Sequence, residues 1–140
     1  FITGTCLDSG ESVIFSHEKT PECPLMIALE ITTAIPIVLP IVLYEGKHYC
    51  DGGVLNPLPT LSFPLESTLA LVIQYNKQPF NTVPSLTSTI ITMMTNELIK
   101  QKSEYRIIVL KTDSLVINFT MTEKEKRAMF EEGRNVIKDS

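Results

Sequence analysis

Twenty consecutive residues, Pro24 to Leu43, carry a single charge, Glu30. A stretch that long and that apolar either crosses a bilayer, which takes about twenty residues, or is buried in protein. Pro36 and Pro40 argue against one continuous helix, because each lacks a backbone N–H and crowds the preceding turn. The expected structure is a helix over 24–35, apolar nearly all round and therefore buried, followed by an extended proline-rich loop.

The flanking segments read mostly as strands. Residues 2–7 and 12–16 have strand composition and are joined by turn residues Asp8-Ser9-Gly10. Val42 to Cys50 reads as a hairpin turning at Glu45-Gly46. Residues 57–67 are rich in Pro and Ser and read as irregular. Leu69-Ala70-Leu71-Val72-Ile73 is a continuous apolar run, the pattern of a strand buried on both faces. Residues 85–102 read as a helix with Ile90, Met94 and Leu98 on one face, and Met93 and Met94 as core filler. Arg106 to Leu110 reads as another interior strand. Thr122 to Glu125 forms a T-x-x-E capping box that predicts a helix start, with Phe130, Gly133 and Ile137 on one face. Helices mixed with apolar strands predict an α/β layered domain, and 140 residues suit one domain.

Composition narrows the function. Apolar residues make up 44% and charged residues 20%, as in ordinary globular proteins. The net charge of −4 is uneven: residues 1–99 carry three basic and nine acidic groups, residues 100–140 nine basic and seven acidic. Neither part is the basic stripe that nucleic acid requires, and the C-terminal surplus reads as a solvated helix face. Cys6, Cys23 and Cys50 are odd in number and widely spaced, which fits reduced thiols in an intracellular protein and neither a disulfide framework nor a zinc site. Asn118-Phe119-Thr120 matches a glycosylation triplet that matters only in a secreted protein. Asp51 has no neighbouring ligands at metal-binding spacing, so neither metal nor cofactor is expected.

The chemistry-bearing candidate is Asp51-Gly52-Gly53, at the end of Lys47-His48-Tyr49-Cys50. By itself the tripeptide reads either as a turn with an exposed Asp or as an acid presented at the lip of a sheet, the glycines permitting a sharp turn and close approach of other groups. In strand alternation His48 lies on the side of Cys50, opposite Asp51, and is expected at the surface or in packing. His17, beside Glu18 in a loop, has no evident partner. Of the serines, only Ser12 has a glycine two positions before it, and none follows where G-x-S-x-G needs one. Ser12 therefore reads as a turn residue.

Several pieces occur in a familiar order: Thr3-Gly4-Thr5-Cys6, Gly10 to Ser16, Thr20-Pro21, the helix-like stretch from Pro24, Thr33-Ala34-Ile35-Pro36, Pro40-Ile41-Val42, Glu45-Gly46-Lys47 and Asp51-Gly52-Gly53. This string resembles the C-terminal half of a patatin-like phospholipase catalytic domain, and Phe119 to Thr122 with the charged helix containing Gly133 resembles its tail. The chain departs from the usual family pattern at Asn56-Pro57-Leu58-Pro59, outside the chemistry. The resemblance implies a three-layer α/β domain with a mainly parallel central sheet flanked by helices, of which residues 1–140 are the C-terminal part. It implies a lipid acyl hydrolase of the phospholipase A type using a Ser-Asp dyad, with Asp51 as general base and Asp51, Gly52 and Gly53 as its motif. The nucleophilic serine and the glycine-rich oxyanion loop are expected upstream, so this chain alone is expected to be inactive. Phospholipid or another acyl-ester lipid is the implied substrate, in the cytoplasm or peripherally at a membrane. The alternative is a non-catalytic lipid-binding or interaction module.

Overall fold

The computed structural model describes residues 1–75, 86, 89–90, 93–94, 96–97, 100, 104–112 and 120–138. The chain divides into two compact units, Phe1–Pro59 and Thr60–Ser140. Each unit contains its own sheet.

The first unit runs β1 (Ile2–Cys6), β2 (Glu11–Phe15), α1 (Leu25–Thr33), β3 (Val42–Tyr44) and β4 (Lys47–Asp51). Its four strands lie in the order β2-β1-β4-β3. Each neighbouring pair is antiparallel, with Ile2 opposite Phe15, Gly4 opposite Asp51 and Val42 opposite Tyr49. Short connections impose this arrangement, because a tight turn can join only antiparallel neighbours. The predicted hairpin forms as expected. Glu45 and Gly46 both have positive φ, 47° and 73°, the backbone of the two-residue turn that matches strand twist. The mainly parallel sheet expected from the sequence is not what this unit contains; its local hairpin chemistry sets the pairing.

One face of the sheet carries Ile2, Gly4 and Cys6 from β1, Val13 and Phe15 from β2, Tyr49 from β4 and Val42 from β3. Helix α1 packs on this face through Ala28 and Ile31, and Ile31 is wholly buried. Gly4 makes the approach possible: a Cβ there would sit 2.6 Å from Ile31 Cγ2 and 2.9 Å from Phe15 Cε2. Phe15 and Tyr49 meet edge to face, with centroids 5.8 Å apart, a favourable aromatic geometry.

Helix α1 is not buried all round. Leu25 and Met26 are 66% and 73% exposed. A single sheet face covers one side of a helix, so apolar composition on the other sides does not bury them. The helix ends at Thr33 because Ile35 precedes Pro36, and a residue before proline is pushed out of the α region. The Thr33 hydroxyl donates back to the Leu29 carbonyl at 2.9 Å. Beyond it the chain turns, and Ile37 takes φ 73° while 85% exposed. Among the described residues no helix is long and apolar enough to cross a membrane.

In the second unit, two short 3-10 turns (Thr60–Ser62 and Leu65–Ser67) occupy the segment expected to be irregular. β5 (Leu69–Tyr75) and β6 (Arg106–Thr112) follow and pair in parallel, from Leu69 opposite Arg106 to Tyr75 opposite Thr112. The expectation of burial on both faces fails for β5. Ala70 and Val72 are buried, while Leu69, Leu71 and Ile73 are exposed. The described residues between 86 and 100 are helical, but Met93 is exposed and fills no core. Leu98, Asn118 and Phe119 lie outside the described residues. Helix α2 (Glu123–Lys138) starts at the predicted capping box. The Thr122 N–H donates to Glu125 Oε2 at 2.7 Å, and the Glu125 N–H donates to Thr122 Oγ1 at 3.3 Å. Phe130 and Ile137, expected on one face with Gly133, are both exposed.

Candidate functional site

Asp51 is the last residue of β4, and four backbone and side-chain bonds locate it. Its N–H donates to the Ala34 carbonyl just past the end of α1, at 3.0 Å. Its carbonyl accepts from the Thr5 hydroxyl of β1 at 3.0 Å and, weakly, from Cys50 Sγ at 3.9 Å. Its own Oδ1 accepts from the Gly53 N–H at 2.8 Å, capping the 3-10 turn Gly52–Val54. Oδ2 has no hydrogen-bond partner among the described residues. The carboxylate is half-buried, and that burial pushes its pKa above the ordinary 3.8, partly offset by the Gly53 N–H that favours the charged form.

The two glycines serve space rather than unusual dihedrals, since neither has positive φ. A Cβ on Gly52 would lie 2.4 Å from Thr3 Oγ1 and 2.6 Å from the Thr3 carbonyl carbon. A Cβ on Gly53 would lie 3.2 Å from Asp51 Oδ1. Gly52 thus lets the turn fold against β1, and Gly53 lets its N–H reach the carboxylate. The turn is closed by the Asn56 N–H donating to the Gly52 carbonyl at 2.9 Å. Close approach, one of the two reasons for glycine at this position, is the one that operates.

His48 lies on the opposite face from Asp51, as alternation requires, and is exposed. It has a partner that the local sequence does not reveal. Its N–H donates to Asp8 Oδ2 at 2.6 Å and its Nδ1 lies 3.2 Å from Asp8 Oδ1. A carboxylate only accepts, so Nδ1 carries the proton in this contact. The His48 bonds hold the Asp8 pKa below its ordinary value. The pair ties the β1–β2 turn to β4, together with the Leu7 N–H donating to the His48 carbonyl at 2.8 Å. His17 lies 3.9 Å from Glu18 at the surface. Ser12 lies inside β2, opposite Thr5, and not at a strand-to-helix turn. Cys6, Cys23 and Cys50 are all free, with Cys6 and Cys50 buried. Among the described residues no three His, Cys, Asp or Glu side chains are grouped as metal ligands.

An acid at a strand end, held by a following glycine N–H and backed by a second glycine packed on the neighbouring strand, is the arrangement carried by the segment that matches a known family. Residues 3–64 match the patatin-like phospholipase profile. This segment is similar to patatin-like phospholipases. Over 122 residues the chain is also 26% identical to a protein named probable lipid hydrolase 463L, from Invertebrate iridescent virus 6. That match covers 86% of this chain and 40% of the viral protein. It necessarily extends past residue 64, so similarity is not confined to the patatin-like segment. The chain spans less than half the length of this relative.

Proposed function

We propose that Asp51 is the general base of a lipid acyl hydrolase, working with a nucleophilic serine that another part of the complete protein supplies. The observation that carries this reading is the division of labour within one carboxylate. Oδ1 is anchored by the Gly53 N–H, which orients the group, while Oδ2 is left to accept a proton. The patatin-like match and the viral relative's name support an ester-hydrolysing chemistry on lipid.

In the proposed reaction, Oδ2 takes the proton from the serine hydroxyl as its oxygen attacks the ester carbonyl. The same proton then passes to the departing alcohol, leaving an acyl-serine. Water repeats the sequence and releases the fatty acid. Each transfer needs the acceptor within about 2.6–3.2 Å of the proton donor, which is why a fixed Oδ1 matters. Phospholipids or other acyl-ester lipids are the proposed substrates, met at a membrane surface. Residues 1–140 are read as part of one three-layer α/β domain whose remaining part supplies the serine, and this chain alone as inactive.

The test is Asp51→Asn in the complete protein. Asparagine keeps an oxygen for the Gly53 N–H but cannot take a proton. Ester hydrolysis is expected to drop by at least about a hundredfold, with the far-ultraviolet circular dichroism unchanged. Retained hydrolysis in the Asp51→Asn protein would reject Asp51 as the base, whereas a complete protein that hydrolyses no ester even with Asp51 intact would favour a non-catalytic, lipid-binding module.

A further inference from the structure

The loop between α1 and β3 is apolar, exposed and strained, and it starts beside Asp51. From Ile31 to Tyr44 no residue carries a charge. Ile37 and Ile41 are 85% and 54% exposed. Ile37 has φ 73°, in a region that a β-branched side chain rarely enters. Such strain persists only where surrounding bonds impose it, and it gathers at functional positions. Here the Val38 and Leu39 N–H groups close the turn by donating to the Ile35 carbonyl, at 3.2 and 2.9 Å. The Asp51 N–H donates to the Ala34 carbonyl. Ile37 is three residues beyond Ala34, at most about 11 Å of extended chain.

The loop backbone constrains what it can meet. Another polypeptide segment pairs with a chain through unengaged N–H and C=O groups, as at a sheet edge. A bilayer offers no such partners, so a segment entering it must have its donors satisfied internally. The Ile35 N–H donates to the Thr33 carbonyl at 2.8 Å, Val38 and Leu39 donate to Ile35, and Pro36 and Pro40 have no N–H. Charge then selects the kind of lipid. Residues 1–59 contain two basic residues, Lys19 and Lys47, against seven acidic ones. Attraction to an anionic surface needs clustered Lys and Arg, so the favoured surface is an uncharged one.

We propose that Ile37 and Ile41 insert into the surface of a zwitterionic phospholipid layer and hold Asp51 beside it. The assignment rests on the lipid-hydrolase reading above and adds which residues meet the bilayer. The depth is that of an interfacial anchor, about 5–10 Å into the boundary between headgroups and acyl chains. The backbone strain at Ile37 has a role in this reading: it turns an apolar side chain away from the protein.

The experiment is co-sedimentation of the complete protein with sucrose-loaded vesicles of ether-linked phosphatidylcholine. That lipid has no ester to cleave, so binding is read apart from catalysis and the result stands whether or not Asp51 proves to be the base. The complete protein is expected to bind. Ile37→Asn and Ile41→Asp are each expected to bind about tenfold more weakly, and added phosphatidylserine is expected not to strengthen binding. Absence of binding, binding indifferent to both substitutions, or binding only to anionic vesicles overturns the assignment. Urea unfolding of the same proteins separates a covered loop from a free one. A free loop predicts a midpoint for Ile37→Asn no lower than the parent's. A lower midpoint would show residue 37 packed against another part of the complete protein, and would overturn the assignment too.

Discussion

Asp51 combines an oxygen fixed by the Gly53 N–H, an oxygen without a partner among the described residues, and partial burial in one side chain. Burial raises its pKa above the ordinary 3.8, so the proposed base ionises at a higher pH than a free aspartate. The acidic limb of kcat/KM for the complete enzyme is accordingly expected above pH 3.8, and a pH profile locates it. A profile flat down to that value would show that Asp51 does not titrate in the rate-determining steps. Ile37 poses a different residue-scale problem. A β-branched side chain at φ 73° is a genuine backbone outlier, and the left-handed region is disfavoured by roughly 1–2 kcal/mol for an L-residue. Asparagine tolerates that region, and the side chain of Ile37 is 85% exposed and has little packing to lose. Ile37→Asn is expected to stabilise the protein by about 1 kcal/mol, read from the shift in urea midpoint at constant m-value.

Elements hold the site through a few close approaches. Helix α1 lies on the sheet through Ile31, and its end positions the Ala34 carbonyl that receives the Asp51 N–H. Ile31→Ala leaves a hole beneath a helix whose other faces are exposed. A loss of about 3 kcal/mol is expected, measured by chemical unfolding, with much smaller loss for Met26→Ala on the opposite side. The 3-10 turn after β4 depends on Gly52 lying against Thr3. Gly52→Ala brings a methyl group against Thr3 backbone as well as its flexible side chain. The expected loss is about 1–3 kcal/mol, and because the turn carries the Gly53 N–H, activity in the complete protein should fall as well. If Gly52→Ala folds as stably as the parent and works as well, the close approach is not limiting.

For the whole molecule, the proposed base role and stability pull in opposite directions at Asp51. Its folded pKa is raised, so its contribution to stability is fully present below the unfolded-state pKa. That contribution is lost as pH rises through the higher folded-state value. At neutral pH the ionised carboxylate is held half-buried at some expense to stability. Asp51→Asn is therefore expected to unfold at a slightly higher urea concentration than the parent at pH 7, while catalysis is lost. At a pH below both values the two proteins should converge. A lower midpoint for Asp51→Asn at pH 7 would mean that the charge itself stabilises the turn.

The order of strands, turns and capped helix was legible in the chain because those choices are local. Asp8 to Gly10 and Glu45-Gly46 dictate turns, Pro36 ends α1, and Thr122 with Glu125 starts α2, each through bonds or clashes within a few residues. The order of motifs likewise led to the proposal of Asp51-Gly52-Gly53 as the site, and the structure places Asp51 at the end of β4. What the sequence could not determine was what each apolar surface meets. Leu25, Met26, Leu71 and Met93 are as apolar as Ile31 or Val72, yet remain exposed because burial depends on which surface the fold lays against them. Nor could local pattern reveal that Asp8 would pair with His48 forty residues away, or that Gly52 would fit against Thr3. Those contacts arise only when β1 and β4 lie side by side. Local sequence therefore specified the elements, the turn and the position of Asp51 at a strand end, whereas tertiary packing decided which strand the Gly52 turn lies against and how far the carboxylate is buried.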